Sequence, residues 1–142
     1  RSKLGDHVIG VVLESPVVDW IATLDFQGEL RRLPAAVRLG VLTLFKHSWG
    51  GLLTGLAEPL DLDRLDFVRR AQELDRPILI LHSDDDGFVP ATASRELAVA
   101  RPDIVSYEAF DIARHTKLWN YDREKWEGAI RRWIAALPSS IS

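Results

Sequence analysis

An α/β fold built on a parallel sheet is what this sequence predicts, and three observations carry that reading. Short apolar runs rich in β-branched residues stand at 8–13 (VIGVVL) and 78–81 (ILIL), with a more alternating one at 104–110 (IVSYEAF). Helical patterns follow the second and third runs, so the second half reads strand, helix, strand, helix, the order of a βαβ unit. Between the first two runs, residues 17–74 are helical in pattern and too long for a plain crossover, which predicts a helical insertion over one end of the sheet. The expected architecture is therefore three parallel strands with flanking helices and a cap-like insertion. At 142 residues the chain has the length of one domain with a real core.

Each element has its own signal. Residues 8–13 are apolar throughout and are stopped by Glu14-Ser15-Pro16, which predicts a strand buried on both faces. Residues 17–74 contain helical stretches at about 18–32, 35–46 and 64–74, broken by Gly50-Gly51, Gly55 and Pro59. The strand at 78–81 is entered through Pro77 and left through an acidic turn. Pro90 suits the first position of a helix reaching about Ala100, because its missing N–H is no loss there, and Ala93, Leu97 and Ala100 share one face. The run 104–110 suits a sheet edge. In the last helix, about 122–137, Trp126, Ile130, Trp133, Ile134 and Leu137 recur at helical spacing, with Glu127 and Arg131 as an i,i+4 pair opposite. Pro138 and the SSIS tail end it.

Composition excludes several classes of function. A net charge of −3 gives no footprint for nucleic acid, and no apolar run approaches the ~20 residues of a membrane helix. The first residues, RSKLGDHV, lack the apolar stretch of a signal peptide. Cysteine is absent, so there is no disulfide framework and no thiolate nucleophile or metal site, which fits a reducing, cytoplasmic setting. Methionine is absent even at the first position, and an upstream portion is expected.

Two turns carry chemistry. After the strand at 78–81 comes His82-Ser83-Asp84-Asp85-Asp86-Gly87. In parallel sheets, catalytic groups collect beyond the carboxyl ends of strands, although an acidic turn also serves simply to cap the next helix. The strand at 104–110 is followed by a turn bearing His115. Neighbouring strands lie ~5 Å apart, so the two turns can touch. An aspartate accepting from Nδ1 fixes an imidazole's tautomer and leaves Nε2 free as a base.

With these residues in view, the sequence resembles the α/β-hydrolase superfamily. The last catalytic segments of that superfamily are a strand ending in H-G-x-x-D-x-x-V-P and a later turn of the G-x-G-H type. HSDDDGFVP (82–90) matches the first and His115 the second, over about 76–137, while 8–19 resembles the strand and turn that precede the cap insertion. The resemblance aligns Asp86 with the catalytic acid and His115 with the base. It implies that 1–142 is the C-terminal portion of one such domain, with 17–74 as the cap and 75–138 carrying both turns. The implied parent is a serine hydrolase acting on ester, amide or similar acyl bonds, with no cofactor and a small acyl substrate. Ser83 replaces the usual glycine, and Ala113-Arg114 replace the small residues before the histidine.

A nucleophile is the missing part. The G-x-S-x-G elbow is absent. Ser48, in K-H-S-W-G after VLTLF (41–45), has bulky neighbours where a sharp elbow wants small ones. Ser15 precedes a proline that restricts its backbone. The attacking serine is expected upstream of this chain, which should then be inactive alone and should pair through 8–13 with the absent half or with itself.

Other residues take secondary roles. His82 is expected to pack inward at its strand end, and Glu14 and Asp19 to serve turns and caps. His7 and His47 show no metal-ligand spacing. Trp20, Trp49 and Trp119 are candidates for an acyl pocket or for lid packing. Two rival readings are a non-catalytic α/β interaction module and a Mg²⁺-dependent phosphoryl-transfer domain using Glu14 with Asp84–Asp86, the latter lacking the Lys and Ser/Thr expected around a phosphate.

Overall fold

The computed structural model describes residues 5–137. Three strands, β1 (Val11–Glu14), β2 (Ile78–Ser83) and β3 (Val105–Phe110), form one parallel sheet in the order β1-β2-β3. Helices α1 (Trp20–Leu30), α2 (Ala35–Lys46) and the short α3 (Gly51–Thr54) lie between β1 and β2. Helix α4 (Ala91–Ala100) joins β2 to β3, and α5 (Leu118–Tyr121) and α6 (Arg123–Ala136) follow. The α/β class with a parallel sheet and flanking helices is the one the sequence predicts.

Alternation along β2 divides the core. Ile78 and Ile80 face one side, with Val18, Ala71, Ala93, Leu97 and Val105. Leu79 and Leu81 face the other, with Phe110, Ala113, Leu118 and Ala129 under Trp126, Ile130 and Trp133. Every residue of β2 is buried, as a central strand between two helical layers requires.

β1 departs from expectation. Its pairing covers Val11–Glu14 rather than 8–13, and among the described residues only β2 bonds to it. Val8, Ile9, Val11 and Val12 are all exposed, Ile9 to 59 %, so the apolar run is not covered on both faces here. Gly10 does have a packing role: a Cβ there would meet the Trp133 ring at 2.6 Å, so its absence lets α6 lie close.

The helices follow their signals with definite exceptions. Pro90 is the N-cap of α4 rather than its first residue, and Ala100 is exposed, leaving Ala91, Ala93, Ser94 and Leu97 as the buried face. In α6, Asp122 caps the start by accepting from the Lys125 N–H at 2.9 Å, and Glu127 pairs with both Arg123 and Arg131. Ile134 faces solvent, and Pro138 lies outside the described residues. Residues 64–74 form no α-helix. They make 3₁₀ turns at Asp63–Leu65 and Ala71–Glu73. Asp61 accepts from the Arg64 N–H and Asp66 from the Arg69 N–H, side-chain bonds that compete with a helical ladder. Phe67 instead donates its N–H to Val18 O, and Arg101 donates to the carbonyls of Ala71 and Leu74, fastening the segment beside the sheet. No helix among the described residues is long and apolar enough to cross a membrane.

Candidate functional site

Both polar turns sit at the C-terminal end of the sheet because β2 and β3 are parallel neighbours in register, His82 opposite Ala109 and Ser83 opposite Phe110. The acid turn is built by its own serine. Ser83, fully buried where the resemblance leads one to expect glycine, accepts the Asp85 N–H on its hydroxyl at 3.2 Å. Its carbonyl accepts the Asp86 N–H, and the Asp84 N–H donates across to Phe110 O. Asp84 itself turns outward to pair with Arg95. That geometry aims Asp86 inward, with its side chain wholly shielded from solvent.

Donors surround the Asp86 carboxylate. Oδ1 accepts the N–H groups of Phe88 at 2.8 Å and Val89 at 3.0 Å, so the carboxylate also closes the turn that leads into α4. Oδ2 lies 3.0 Å from His115 Nδ1. Burial opposes ionisation of Asp86. The Val89 N–H, the His115 ring, the Phe88 N–H and the Ser15 hydroxyl outweigh it and hold the carboxyl below its usual range. An ionised carboxylate only accepts, so His115 carries its proton on Nδ1. Its Nε2 has no protein partner among the described residues, and about a third of the side chain is exposed. Phe88 stacks on the ring at 5.3 Å between centroids. Beside them lies an open depression of ≈ 400 Å³ lined by Asp85, Gly87, Phe88, Arg114 and His115. Asp86 and His115 are thus together at one end of the sheet. Ala113, next to Arg114, is buried core, whereas Arg114 is exposed.

Four other residues complete the surroundings. Ser15 is buried and holds a left-handed backbone, φ 48°, as does Thr116 at φ 51°. The two meet, Thr116 N–H approaching Ser15 Oγ at 3.5 Å, so strained non-glycine backbone flanks the pair on two sides. Ser15 is therefore a neighbour of the acid, a role its local sequence did not suggest. Glu14 accepts the Leu118 N–H at 3.1 Å and the Trp126 Nε1–H at 2.9 Å, fastening α5 and α6 to the end of β1. Asp19 caps α1 through the Ala22 N–H.

The remaining candidates lie apart from this centre. Residues 41–45 belong to α2, and Ser48 opens a 3₁₀ turn (Ser48–Gly50) rather than an elbow after a strand. No described hydrogen bond joins it to Asp86 or His115. Trp20, Trp49 and Trp119 do not line the depression next to His115; Trp49 stacks on His47 and Trp119 lies under Arg123. Glu14, Asp84 and Asp86 already accept from protein donors. Among the described residues no group of three or more His, Asp or Glu side chains is placed to hold a metal.

The chain shares its fold with esterases of known structure. An esterase of Pyrococcus furiosus superposes with a TM-score of 0.60 at 14% identity, covering 93% of this chain and 46% of that one. A second crystal form of the same esterase gives 0.56 at 12% identity, over 93% and 45%. An acetyl ester-xyloside bifunctional hydrolase of Caldicellulosiruptor lactoaceticus gives 0.52 at 19% identity, over 90% and 42%. The chain spans less than half the length of each of these structures. No protein-family profile matches the chain, and no curated protein matches it by sequence.

Proposed function

We propose that this chain is the C-terminal half of an α/β-hydrolase-type serine hydrolase that cleaves ester, amide or similar acyl bonds. The observation that carries the reading is Asp86 Oδ2 at 3.0 Å from His115 Nδ1, with the opposite edge of the imidazole unpartnered among the described residues. Asp86 orients the ring and balances the charge it gains. His115 Nε2 takes a proton from an attacking serine hydroxyl and returns it to the leaving group of the collapsing tetrahedral intermediate. The serine and the oxyanion donors are assigned to a portion of the fold outside this chain. Their natural docking place is the outer edge of β1, where Val11 and Val12 are exposed and no strand among the described residues pairs. The likeness to an esterase and a bifunctional hydrolase of which this chain covers less than half supports that placement.

Hydrolysis of an activated ester tests the proposal. The chain alone is expected to give no turnover above its His115→Ala variant. Supplied with a polypeptide carrying the upstream strands and a G-x-S-x-G elbow, it is expected to turn over, with a loss of about 10⁴-fold in kcat on Asp86→Asn through the wrong histidine tautomer. Turnover by the chain alone that Ser48→Ala abolishes would overturn the assignment of the nucleophile.

A further inference from the structure

The site holds a second histidine that the proposed mechanism does not use. His82 is the penultimate residue of β2, with no exposure to solvent. Its Nδ1 lies 2.8 Å from the hydroxyl of Ser94, itself fully buried on α4. Its Nε2 lies 3.2 Å from Val89 O and 3.3 Å from Asp86 Oδ2. These contacts fix the tautomer. A carbonyl and an ionised carboxylate only accept, so Nε2 carries the proton and Nδ1 accepts from the Ser94 hydroxyl. Oδ2 of Asp86 therefore lies between two imidazole edges: it accepts the His115 Nδ1–H on the open side and has His82 Nε2, whose N–H is bonded to Val89 O, 3.3 Å away on the closed side.

From this geometry we infer that His82, held by Ser94 and Val89, is a positioning residue that locks the Asp86 carboxylate in the orientation His115 requires. The inference rests on the reading of Asp86 and His115 as a working pair. The physical need is plain. A carboxylate can rotate about its terminal torsion, which is broad and weakly restrained. Phe88 and Val89 N–H fix Oδ1, and His82 closes the remaining freedom at Oδ2. Ser94 extends the line of polar contacts from α4 through His82 and Asp86 to His115, so a packed helix sets the angle of a ring that is about a third exposed. The charged and titratable groups facing His82 are Asp86 and, beyond it, His115. Burial drives His82 below its ordinary range, so it serves Asp86 as a neutral donor and not as a second cation.

Nitrogen-15 NMR of the histidine rings tests this in the chain as it stands. In the unaltered protein His82 is expected to be the neutral Nε2–H tautomer at pH 7.5. His115 is expected in the Nδ1–H form, with a downfield ring proton bonded to Asp86. His82→Leu should cost His115 that downfield proton and leave its tautomers mixed. His82→Gln, whose amide can place an N–H where Nε2–H was, should restore both. If His115 keeps a sharp Nδ1–H signal in His82→Leu, the positioning role is wrong while the pair stands. If His115 shows no Nδ1–H form in the unaltered protein, the pair itself is misread. Should His82→Leu fail to fold, a protonated or Nδ1–H His82 in the unaltered chain would still overturn the inference.

Discussion

Two regions of this molecule carry similar amounts of apolar sequence and use it differently. In β2 and its covering helices, the apolar residues meet each other: Ile80, Leu81, Leu97, Phe110 and Leu118 are essentially excluded from solvent. In α2 none of the residues is fully buried, and Val37, Leu39 and Val41 are exposed, as are Trp49, Leu52 and Leu53 just beyond it. What ties α2 to the rest includes Arg38 to Asp25 and Glu29, Lys46 to Asp63 and the Leu60 N–H to Phe45 O, with Leu42, Leu44 and Phe45 only half-buried. The difference teaches that apolar periodicity predicts a helix without saying what will cover it. It also places Asp86 and His115 on the rigid layer, while the helices between β1 and β2 form a more weakly held layer. Helix α1 reaches the acid turn through Gln27, which donates to the carbonyls of Gly87 and Phe88. Local opening is expected to follow that division, fast in α2 and slow in β2.

The largest effect should come from truncating the rigid layer. Leu81 has no exposure and packs with Leu79, Phe110, Ala113, Leu118 and Ala129. Leu81→Ala is expected to cost about 2–5 kcal/mol of unfolding free energy, the range for a buried leucine that leaves a cavity. Denaturant titration reads it directly. A cost below about 1 kcal/mol would mean that this face of the sheet collapses easily, and the contrast with α2 would weaken.

How much of this was legible in the sequence depends on the range of the interactions involved. β2, the acid turn and His115 were legible because their signals are local: an apolar run, a turn with Asp86, a polar turn after the next strand. The inward packing of His82 was legible for the same reason, but its bond to Ser94 was not. That contact joins two elements whose relative rotation only the packed core decides. Ser15, whose following proline argues against a nucleophile's elbow, is a neighbour of Asp86 across a separation of about half the chain. The run at 8–13 promised a strand covered on both faces, but coverage is a property of partners, and among the described residues β1 pairs with β2 alone. At 64–74 the helical spacing lost to Asp61 and Asp66, whose carboxylates captured backbone N–H groups first.

Acid sharpens the comparison from the side of the site. His82 titrates below its ordinary range in the folded chain, because burial outweighs the attraction of Asp86. Below about pH 6.5 the unfolded chain therefore binds a proton at this position that the folded one refuses, and stability falls as pH falls. Asp86 is also depressed, so a second loss of the same sign follows below about pH 4, as the unfolded carboxylate is protonated before the folded one. Each group contributes a slope of at most about 1.4 kcal/mol per pH unit. Comparing unfolding free energies at pH 7.5 and 5 for the unaltered chain and His82→Gln isolates the first loss. The variant is expected to be flatter; an identical decline in both would show that His82 is protonated as readily folded as unfolded.

The smallest effect is expected in α2, and its smallness is the informative part. Leu39 is 67 % exposed in the middle of the helix. Alanine is at least as good a helix former and leucine here loses little packing, so Leu39→Ala should change stability by no more than about 0.5 kcal/mol. The same substitution type then differs by several-fold between Leu81 and Leu39, and the division between the layers becomes a measured quantity. The expectation holds only if nothing covers the helix in solution. A cost above about 1.5 kcal/mol would mean that Leu39 is buried against something, and repeating the titration at ten times the protein concentration identifies what. A midpoint that rises with concentration points to a second copy of the chain, because association stabilises by mass action. A midpoint that stays put means that α2 packs onto its own chain more tightly than the exposed leucine suggests, and that the two layers form one cooperative unit.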